Sequence, residues 1–536
     1  MYVVTEVQVR KALKLLKKDI YDDWYCDLQN YIDVFKEIPK VTSLINERIS
    51  KGRGIYIAEK SILFNIPKGN GGFRYSLEFA PLDRLAYHIF GFQLIDLLDY
   101  ILPYNILSHR KSKDDETLYK PMIEQWNKFV NYTRICGKDS YILETDLSNY
   151  YDNIDIEKLR TELINAASEA KLSSDNFVHC MYLIESIYSI LKKLSFDGKK
   201  GLPQNRDVSS FLANIYMRPL DNCLKDVDYF RYMDDIRIIA KSRADANRYM
   251  LIVIETLRKY GLAINSSKTK ILEPGDKEHI SFCNDIDLEA KKIDAMMNSG
   301  KRKYVLESFH TIYQKVIEFL EQKRIHERSY RFYANRLITF LNAKDICVPM
   351  KYKIELSEKL ISGIDSRPDC ADQICALAQA IGAHKRLQEN LVQWATNPDN
   401  LTFEWAVYSV IKTLIIQDHK SSLLNKFCNE QLIDTNAHES IRGISAVYLN
   451  QKGRNKIIHL ISRDNSFFLQ RHFIIALSKT KPDLLIKNNW RDKVLPDFRG
   501  HHHALHKLSS EENFSYVKNS ERLSQRILIK ELNNYA

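Results

Sequence analysis

The stretch that most constrains the fold places two adjacent carboxylates, Asp234 and Asp235, between the two apolar segments of residues 229–240. Aromatic and β-branched residues, which strands prefer, dominate both segments. This pattern predicts a tight β-hairpin with the two carboxylates at its turn. Buried carboxylates without partners are costly, so a turn of this kind is expected to hold a cation. A solvated turn is the plain alternative, because Asp-Asp pairs also occur in two polar stretches of this chain.

A second predicted strand, residues 141–146, also ends in a carboxylate, Asp146. A strand end in a half-buried sheet can present a metal ligand, although an Asp at this position can instead cap the turn that follows. From residue 141 to 271 the pattern predicts a strand, two helices, the hairpin, a further helix and a last strand. This order predicts an α+β domain in which helices back one face of an antiparallel sheet.

A cationic hairpin is predicted upstream, where Gly69-Asn70-Gly71-Gly72 separates two strand-like segments. Lys68 and Arg74 lie near its ends. Two cations on a hairpin are suited to clamping a triphosphate, since Arg can bind phosphate oxygens in a bidentate manner. The alternative is an exposed hairpin with ordinary surface charge.

The pattern changes near residue 285, after which strand signals give way to successive helical stripes. Four helix centres contain a small residue at intervals of roughly 30 to 40 residues, as in HEAT-type arrays; they are Ala376, Ala406, Ala446 and Ala476. We therefore predict an α+β domain over residues 1–285, with helices in residues 1–60, and an α-helical repeat domain over residues 286–536.

Composition restricts the class of protein. The 536 residues, 45% hydrophobic and 27% charged, suffice for two or more soluble globular domains. There is no membrane-spanning apolar run and no signal-peptide pattern at the N-terminus, so we expect a cytoplasmic protein without a membrane partner. The nine cysteines contain no C-x-x-C pair, which argues against a zinc module and a disulfide scaffold. A net charge of +11 favours an anionic partner, nucleic acid first.

Carboxylates at two strand ends and a cationic hairpin upstream are the groups that phosphoryl transfer by two divalent ions requires. One ion activates the attacking 3′-hydroxyl, and the other neutralises charge on the triphosphate. Mg²⁺ is the natural ion for a site of oxygen ligands and phosphates, with Mn²⁺ as the alternative.

The chain resembles the reverse transcriptase family in segments that occur in family order across roughly residues 60–275. They are Ile66–Arg84 for the fingers, Asp146–Tyr151 for the first palm motif, Leu202–Ser209 for the second, Tyr232–Asp235 for the catalytic hairpin and Gly261–Thr269 for the fourth. The resemblance implies a right-hand polymerase with fingers and palm. It also implies that Asp146 and Asp234 are the principal metal ligands, supported by Asp235 and by the backbone carbonyl of Leu147.

The same resemblance implies nucleotide contacts. Tyr151 would be an aromatic gate that excludes a 2′-hydroxyl and so selects dNTPs, with a core tyrosine as the alternative. Lys68 and Arg74 would clamp the triphosphate, and Gln204 would contact template or nucleotide. Lys268 would protonate pyrophosphate, unless it is a surface lysine.

One position departs from the family pattern, because Asn205 replaces the usual Gly after Pro-Gln and puts ordinary template handling in doubt. The polymerase pattern followed by helices resembles the bacterial abortive-infection and defence-associated reverse transcriptases. That resemblance implies RNA-directed or template-independent DNA synthesis against phage. A noncoding RNA is a candidate template and a homo-oligomer a candidate assembly, while dNTPs and the DNA product are the expected small and large partners.

Other functions stay open at the level of sequence. A mobile-element reverse transcriptase, of retron or group II intron type, is the second enzyme reading, although a basic thumb and tail would be expected there. An RNA-dependent RNA polymerase usually carries Gly before the Asp pair and lacks the aromatic gate. The non-enzyme alternative is a helical-repeat scaffold that binds nucleic acid.

Overall fold

The computed structural model describes most of the chain up to residue 478, namely residues 2–20, 23–31, 34–69, 71–114, 116–284, 288–343, 347–450, 455–462 and 465–478. These residues form two compact units. The first consists of Met1–Asp23, Phe35–Leu63 and Leu77–Ile286, and the second of Trp24–Val34, Phe64–Ser76 and Asp287–Ala536. Residues 479–536 of the predicted repeat domain lie outside the described residues. The domain boundary that the sequence predicts between residues 285 and 286 stays a prediction.

The strands form two sheets. The described strands are β1 (Ile62–Pro67), β2 (Phe73–Glu78), β3 (Tyr141–Thr145), β4 (Tyr229–Tyr232), β5 (Asp235–Ala240) and β6 (Lys270–Leu272). Strands β1 and β2 form a two-stranded sheet, and the others form a four-stranded sheet in the order β4-β5-β3-β6. All pairs in the larger sheet are antiparallel, which confirms the predicted antiparallel sheet.

The predicted hairpin at the Asp pair is confirmed. Strands β4 and β5 pair with Tyr232 opposite Asp235, so that only Met233 and Asp234 form the turn. Met233 has a φ of 58°, a region that L side chains rarely adopt. Asp235 is therefore the first residue of a strand, whereas Asp234 lies at the tip.

Helices pack on both faces of this hairpin. Successive side chains on a strand point to opposite faces. The Phe230 ring stacks on Tyr132 at 5.4 Å, while the Arg231 side chain on the other face bonds to Asn214 at 2.8 Å. Tyr132 and Asn214 belong to different helices. The expectation that helices back one face of the sheet is thus wrong for β4 and β5, where both faces are covered.

The first unit contains eleven described helices. They are α1 (Glu6–Asp19), α2 (Ile38–Lys51), α3 (Pro81–Leu98), α4 (Met122–Gly137), α5 (Tyr150–Asn153), α6 (Ile156–Glu169), α7 (Ser174–Leu194), α8 (Asp207–Tyr216), α9 (Arg218–Cys223), α10 (Arg243–Lys259) and α11 (Lys277–Asn284). Helix α7 is an addition to the predicted order of elements. The segment after residue 207 forms two helices, α8 and α9, and Pro219 is one of the first residues of α9.

The second unit contains ten described helices. They are α12 (Leu288–Met297), α13 (Arg302–Glu321), α14 (Arg328–Asn342), α15 (Met350–Ser366), α16 (Ala371–Ile381), α17 (Lys385–Ala395), α18 (Glu404–Ile416), α19 (Ser422–Ile433), α20 (Glu439–Leu449) and α21 (Phe467–Leu477). The chain is interrupted between α16 and α17. There Gly382 takes a φ of 90°, which glycine adopts without strain.

The four alanines that suggested a repeat lie on four neighbouring helices of this unit. Ala376, Ala406, Ala446 and Ala476 are buried in α16, α18, α20 and α21, and these helices contact one another in chain order. A small side chain lets two helix backbones approach closely. The segment Trp24–Val34 joins the same unit through a buried ion pair, in which Asp27 accepts hydrogen bonds of 2.7 and 3.0 Å from Arg471.

Hydropathy gives a separate result for these helices. No helix in the described part of the chain is both long and apolar enough to cross a membrane.

Candidate active site

Strand register brings two of the predicted carboxylates side by side. Thr145, the last residue of β3, pairs with Ile236 of β5. The next residues along each strand, Asp146 and Asp235, therefore follow as neighbours at the same end of the sheet. Asp234 lies beside them at the tip of the β4–β5 hairpin. A residue from one strand end and two from a hairpin thus form one acidic edge, Asp146, Asp234 and Asp235.

The acidic edge is not electrostatically neutralised. Burial is the main cause that raises the pKa of Asp234 to about 7, and the charges of Asp146 and Asp235 raise it further, while Lys268 acts in the opposite direction. A carboxylate that shares a buried site with like charges resists ionisation unless a cation compensates it. The edge is therefore a place where a bound cation would be stabilised.

Two side chains from the segment before β6 contact Asp146. The Lys268 ammonium donates to the Asp146 carboxylate at 2.8 Å, and this hydrogen bond is the main cause that raises the pKa of Lys268. Asn265 donates its backbone amide to the Asp146 carbonyl at 2.7 Å and its side-chain amide to the carboxylate at 3.4 Å. The sequence-predicted Lys268 is thus part of the acidic edge.

Leu147 is placed by a bridge to Ile264. The hydrogen bonds of this bridge use the carbonyl of Asp146 and the amide of Ser148, which donates to Ala263 at 2.9 Å. The bridge therefore does not engage the carbonyl of Leu147, the group that the sequence assigns to a metal.

The aromatic residue of the first palm motif is held by a neighbouring helix. Tyr151, on α5, lies with its hydroxyl 3.2 Å from the hydroxyl of Ser210 on α8. Burial raises the pKa of Tyr151, and the charge of Asp234 raises it further, so the ring is within electrostatic range of the acidic edge. Tyr150 is anchored separately, because its hydroxyl donates to the Ala213 carbonyl at 2.6 Å.

The loop before α8 is linked to the same palm segment. The side chain of Gln204 donates to the Asp152 carboxylate at 3.1 Å, and the Leu202 amide donates to the Tyr151 carbonyl at 3.0 Å. Asn205 takes a φ of 53°. Among residues with a side chain, Asn tolerates this left-handed conformation best, so the replacement of the usual Gly preserves the backbone of the loop.

The remaining two predicted residues belong to the other compact unit. Lys68 follows β1, and Arg74 lies on β2 with its guanidinium carbon 5.8 Å from the centre of the Trp24 ring. The hairpin that carries them is confirmed, with the Lys68 amide donating to the Gly72 carbonyl at 2.7 Å. Their contact with a triphosphate stays a prediction.

The acidic edge fits a divalent cation by its chemistry. Its side-chain donors are all carboxylate oxygens, the ligands that Mg²⁺ and Mn²⁺ prefer, and the raised pKa of Asp234 marks the absence of a full compensating charge. Within the described residues, no three or more His, Cys, Asp or Glu side chains are grouped so that they could hold a metal ion. The match is therefore one of donor type and electrostatics.

The family comparison indicates a polymerase-type nucleotidyltransferase. Residues 82–320 match the family model of reverse transcriptase (RNA-dependent DNA polymerase). The chain therefore contains a reverse transcriptase domain with an RT-like fold of helices and antiparallel sheet, and it is an enzyme of the RNA-directed DNA polymerase type. Enzymes of this family generally use divalent metal ions.

Solved structures give more distant similarities. Telomerase from Candida albicans, in complex with a fragment of telomeric RNA, is 13% identical, with 68% of each chain covered and a TM-score of 0.30. Apo telomerase from Candida tropicalis is 12% identical over 76% of this chain and 73% of that chain, with a TM-score of 0.33. Scores this low carry no argument about function. No curated protein matches the chain.

Sequence reasoning missed the residues that hold the site together. Ser210 and Asp152 position Tyr151 and Gln204, and Asn265 contacts Asp146 through both its backbone and its side chain. Asn265 lies three residues before Lys268 in the fourth motif, so its position in the motif was the one available signal. The contacts of Ser210 join segments that are 59 residues apart and leave no local pattern.

Proposed function

We propose that this protein is a DNA polymerase, RNA-directed or template-independent, that adds dNTPs by two-metal phosphoryl transfer. The observation that carries the proposal is the acidic edge, where strand register sets Asp146 and Asp235 at the same end of the sheet and burial and like charge raise the pKa of Asp234 to about 7. A structural cluster of carboxylates would be neutralised by Arg or Lys, whereas a metal site is left for the cation to neutralise.

The metal ligands would be Asp146 and Asp234, supported by Asp235 and the Leu147 carbonyl. Two Mg²⁺ ions bound there would activate the primer 3′-hydroxyl and neutralise charge on the triphosphate and leaving pyrophosphate. The protein's own contribution is to hold these carboxylates at one end of a paired sheet. A rigid sheet edge fixes their separation before substrate arrives, which is how positioning accelerates a reaction.

Selection of dNTPs is assigned to Tyr151. Its ring is fixed at one end by α5 and at the other by Ser210, so it cannot swing away without breaking that contact. A fixed ring beneath the sugar would collide with a 2′-hydroxyl. Gln204, held by Asp152, would contact the nucleotide or template next to it.

Phosphate contacts are assigned to three cations. Lys268 is protonated at neutral pH, as an ordinary lysine is, and its hydrogen bond to Asp146 raises its pKa further. It would stabilise the leaving pyrophosphate by its charge and donate a proton to it. Lys68 and Arg74 would clamp the triphosphate. The net charge of +11 supports a nucleic-acid partner, either a noncoding RNA template or the DNA product.

We assign the helices after residue 286 to a HEAT-like repeat domain, in support of which Ala376, Ala406, Ala446 and Ala476 lie on neighbouring helices. A polymerase joined to such an array supports a cytoplasmic role in defence against phage, with a homo-oligomer as its assembly. A retron or group II intron type of mobile-element enzyme is the alternative, and it would require a target DNA instead of a phage trigger.

The test of the chemistry is incorporation of labelled dNTPs by the full-length protein. We expect Mg²⁺-dependent DNA synthesis, either on a primed RNA template or without any added template, and chelation by EDTA abolishes it. The Asp234→Asn variant, which keeps the size of the side chain, is the matched control and should be inactive. Absence of synthesis by wild type under both conditions contradicts the proposal.

The test of the defence role is separate from the chemistry. Bacteria that express the wild-type protein should survive phage challenge better than bacteria that express equal amounts of Asp234→Asn. Equal survival, in the presence of polymerase activity, would contradict the defence role and favour the mobile-element alternative.

A further inference from the structure

The turn that carries Asp234 is held in a conformation that its sequence disfavours. Met233 has a φ of 58°, which L residues rarely adopt. Backbone of this kind costs about 1–3 kcal/mol and persists only where surrounding contacts determine it. The contacts that hold Met233 are therefore the contacts that fix the position of Asp234.

Both polar backbone atoms of Met233 are bound by side chains from the protein interior. The Met233 amide donates to the hydroxyl of Ser108 at 2.9 Å. The Met233 carbonyl accepts a hydrogen bond from Nη1 of Arg231 at 3.1 Å. Ser108 and Arg231 each have a relative exposure of 0%. Side-chain hydrogen bonds thus hold the turn at both the amide and the carbonyl of Met233.

Arg231 is itself immobilised by a buried network. Its Nε and Nη2 donate to the Asp221 carboxylate at 3.0 and 2.7 Å, and its Nη1 donates to the side-chain oxygen of Asn214 at 2.8 Å. Asn214 in turn donates to the Ser108 carbonyl at 3.0 Å. The two hydrogen bonds that hold the turn therefore belong to one continuous network.

The charge of Arg231 is already neutralised within this network. Asp221 is buried and forms a bidentate ion pair with the guanidinium. Arg231 thus contacts the turn as a hydrogen-bond donor to the Met233 carbonyl, while its charge is paired with Asp221. A Lys at this position would keep the charge but lacks the planar fork that bonds Asp221, Asn214 and Met233 together.

We propose that Arg231, braced by Asp221 and assisted by Ser108, is a positioning residue that fixes the Met233–Asp234 turn and thereby the metal-binding geometry of the acidic edge. The inference rests on the proposed function of Asp234. Without the brace, the turn relaxes from its strained φ and the Asp234 carboxylate moves relative to Asp146. A displacement of about 1 Å at a reacting centre lowers rates on the order of 10²-fold.

The test uses full-length Arg231→Lys and Ser108→Ala, with Mn²⁺ alone as the probe and free Mn²⁺ measured by electron paramagnetic resonance. We expect Arg231→Lys to raise the Kd for Mn²⁺ by about tenfold and to lower kcat by about 10²-fold. Ser108→Ala, which removes a single hydroxyl, should shift both quantities in the same direction by a smaller factor. Thermal unfolding establishes that each variant is folded.

The matched control is Arg48→Lys. Arg48 also forms a mostly buried ion pair in the first unit, donating to Asp83 at 2.6 Å, and it donates further hydrogen bonds to Tyr56 and Glu59, which lie outside the acidic edge and the turn. The Tm of Arg48→Lys should fall, whereas its Kd for Mn²⁺ and its kcat should stay within about twofold of wild type. General loss of stability would affect the two Arg variants alike, so only the Mn²⁺ and kcat measurements separate them.

The outcomes are distinguishable. A larger loss of Mn²⁺ affinity in Arg231→Lys or Ser108→Ala than in Arg48→Lys supports the inference. The inference is overturned if Arg231→Lys and Ser108→Ala, where folded, both keep the Mn²⁺ affinity and the kcat of wild type. If Arg231→Lys does not fold, the result for Ser108→Ala alone tests the inference. If wild type itself neither binds Mn²⁺ nor incorporates dNTPs, the proposed function and the inference fail together. If Asp234→Asn is inactive while both variants match wild type, the inference alone fails.

Discussion

Two clusters of carboxylates in the first unit have opposite electrostatic states. The acidic edge contains Asp146, Asp234 and Asp235, and its like charges add to burial in raising the pKa of Asp234. The second cluster, which we call the ionic cluster, contains Asp19 and Asp23 with Arg84, Arg206 and His88. There burial alone would raise the pKa of Asp19, but Arg84, His88 and Arg206 together lower it well below its ordinary value.

In the ionic cluster, hydrogen bonds from cationic side chains compensate the charge of each carboxylate. Arg84 donates to Asp19 at 2.6 Å and to Asp23 at 2.9 Å, and Arg206 donates to Asp23 at 2.6 Å. Asp19 also accepts the backbone amide of Asp207, the first residue of α8, at 2.8 Å. The Arg84 contacts tie α3 to the N-terminal segment, and the contacts of Arg206 and Asp207 tie that segment to the loop and helix of the second palm motif.

This electrostatic difference distinguishes a candidate metal site from a structural cluster of ion pairs. Both clusters contain neighbouring aspartates and at least one buried carboxylate, so neither burial nor residue type alone distinguishes them. Arg side chains neutralise the carboxylates of the ionic cluster, whereas Asp146 of the acidic edge contacts the largely exposed Lys268. Removing a carboxylate should therefore impair catalysis at the acidic edge and stability in the ionic cluster.

The largest effect is expected for Asp234→Asn, measured as dNTP incorporation. Because the change removes a ligand and leaves the side-chain shape, activity should fall by at least about 10³-fold, as for residues that act as one catalytic unit. The same change removes like-charge repulsion at the acidic edge, so Tm should be equal to or above that of wild type. A marked fall in Tm would show that Asp234 stabilises the fold, as the ionic cluster does, and would contradict the distinction between the two clusters.

Asp23→Ala should do the reverse. It leaves Arg84 and Arg206 without one carboxylate that each of them contacts in the interior, and breaking a buried ion pair costs about 3–5 kcal/mol of unfolding free energy. Chemical denaturation measures this change. Lys14→Ala, which removes an exposed pair with Glu116, is the control and should change stability little. A small effect of Asp23→Ala would show that the ionic cluster is not a structural device.

The acidic edge could be predicted from sequence because its signals are local. Two apolar segments with a two-residue turn define the hairpin of Asp234 and Asp235, and a single strand defines the position of Asp146. The pairing of β3 with β5, which places Asp146 beside Asp235, has no local signal in the sequence and is seen only in the structure. The backbone strain at Met233 could not be predicted, because the same residues also suit an ordinary turn.

The ionic cluster could not be predicted, because its partners are distant in the chain. Arg84 and Asp19 are 65 residues apart, and Arg206 and Asp23 are 183 residues apart. Sequence patterns record the period of a helix or strand and not the partner of a charge. Arg231 was missed for a related reason, since its partner Asp221 is ten residues away on a different element.

The third prediction concerns acid. The folded-state pKa of Asp19 is lowered, so its contribution to stability is present above its unfolded pKa near 4 and is lost as the pH falls through the range below it. The loss of unfolding free energy in Asp19→Asn should therefore be largest at pH 7 and shrink by about 1 kcal/mol at pH 3. Asp226→Asn, at an exposed position, is the control and should show no such convergence. Parallel pH curves for Asp19→Asn and wild type would contradict the assignment.

The smallest effect is expected at Asn205, which stands between the two clusters. Its neighbours on either side are Gln204, which bonds to Asp152 near Tyr151, and Arg206, which bonds to Asp23 in the ionic cluster. Because Asn205 has a φ of 53°, Asn205→Gly should leave stability and activity close to wild type, whereas Asn205→Ala should cost about 1 kcal/mol. Unfolding free energy and dNTP incorporation on a primed RNA template check both variants. If Asn205→Gly instead alters template use without changing stability, the amide side chain itself contacts template, and the loop does more than join the catalytic cluster to the structural one.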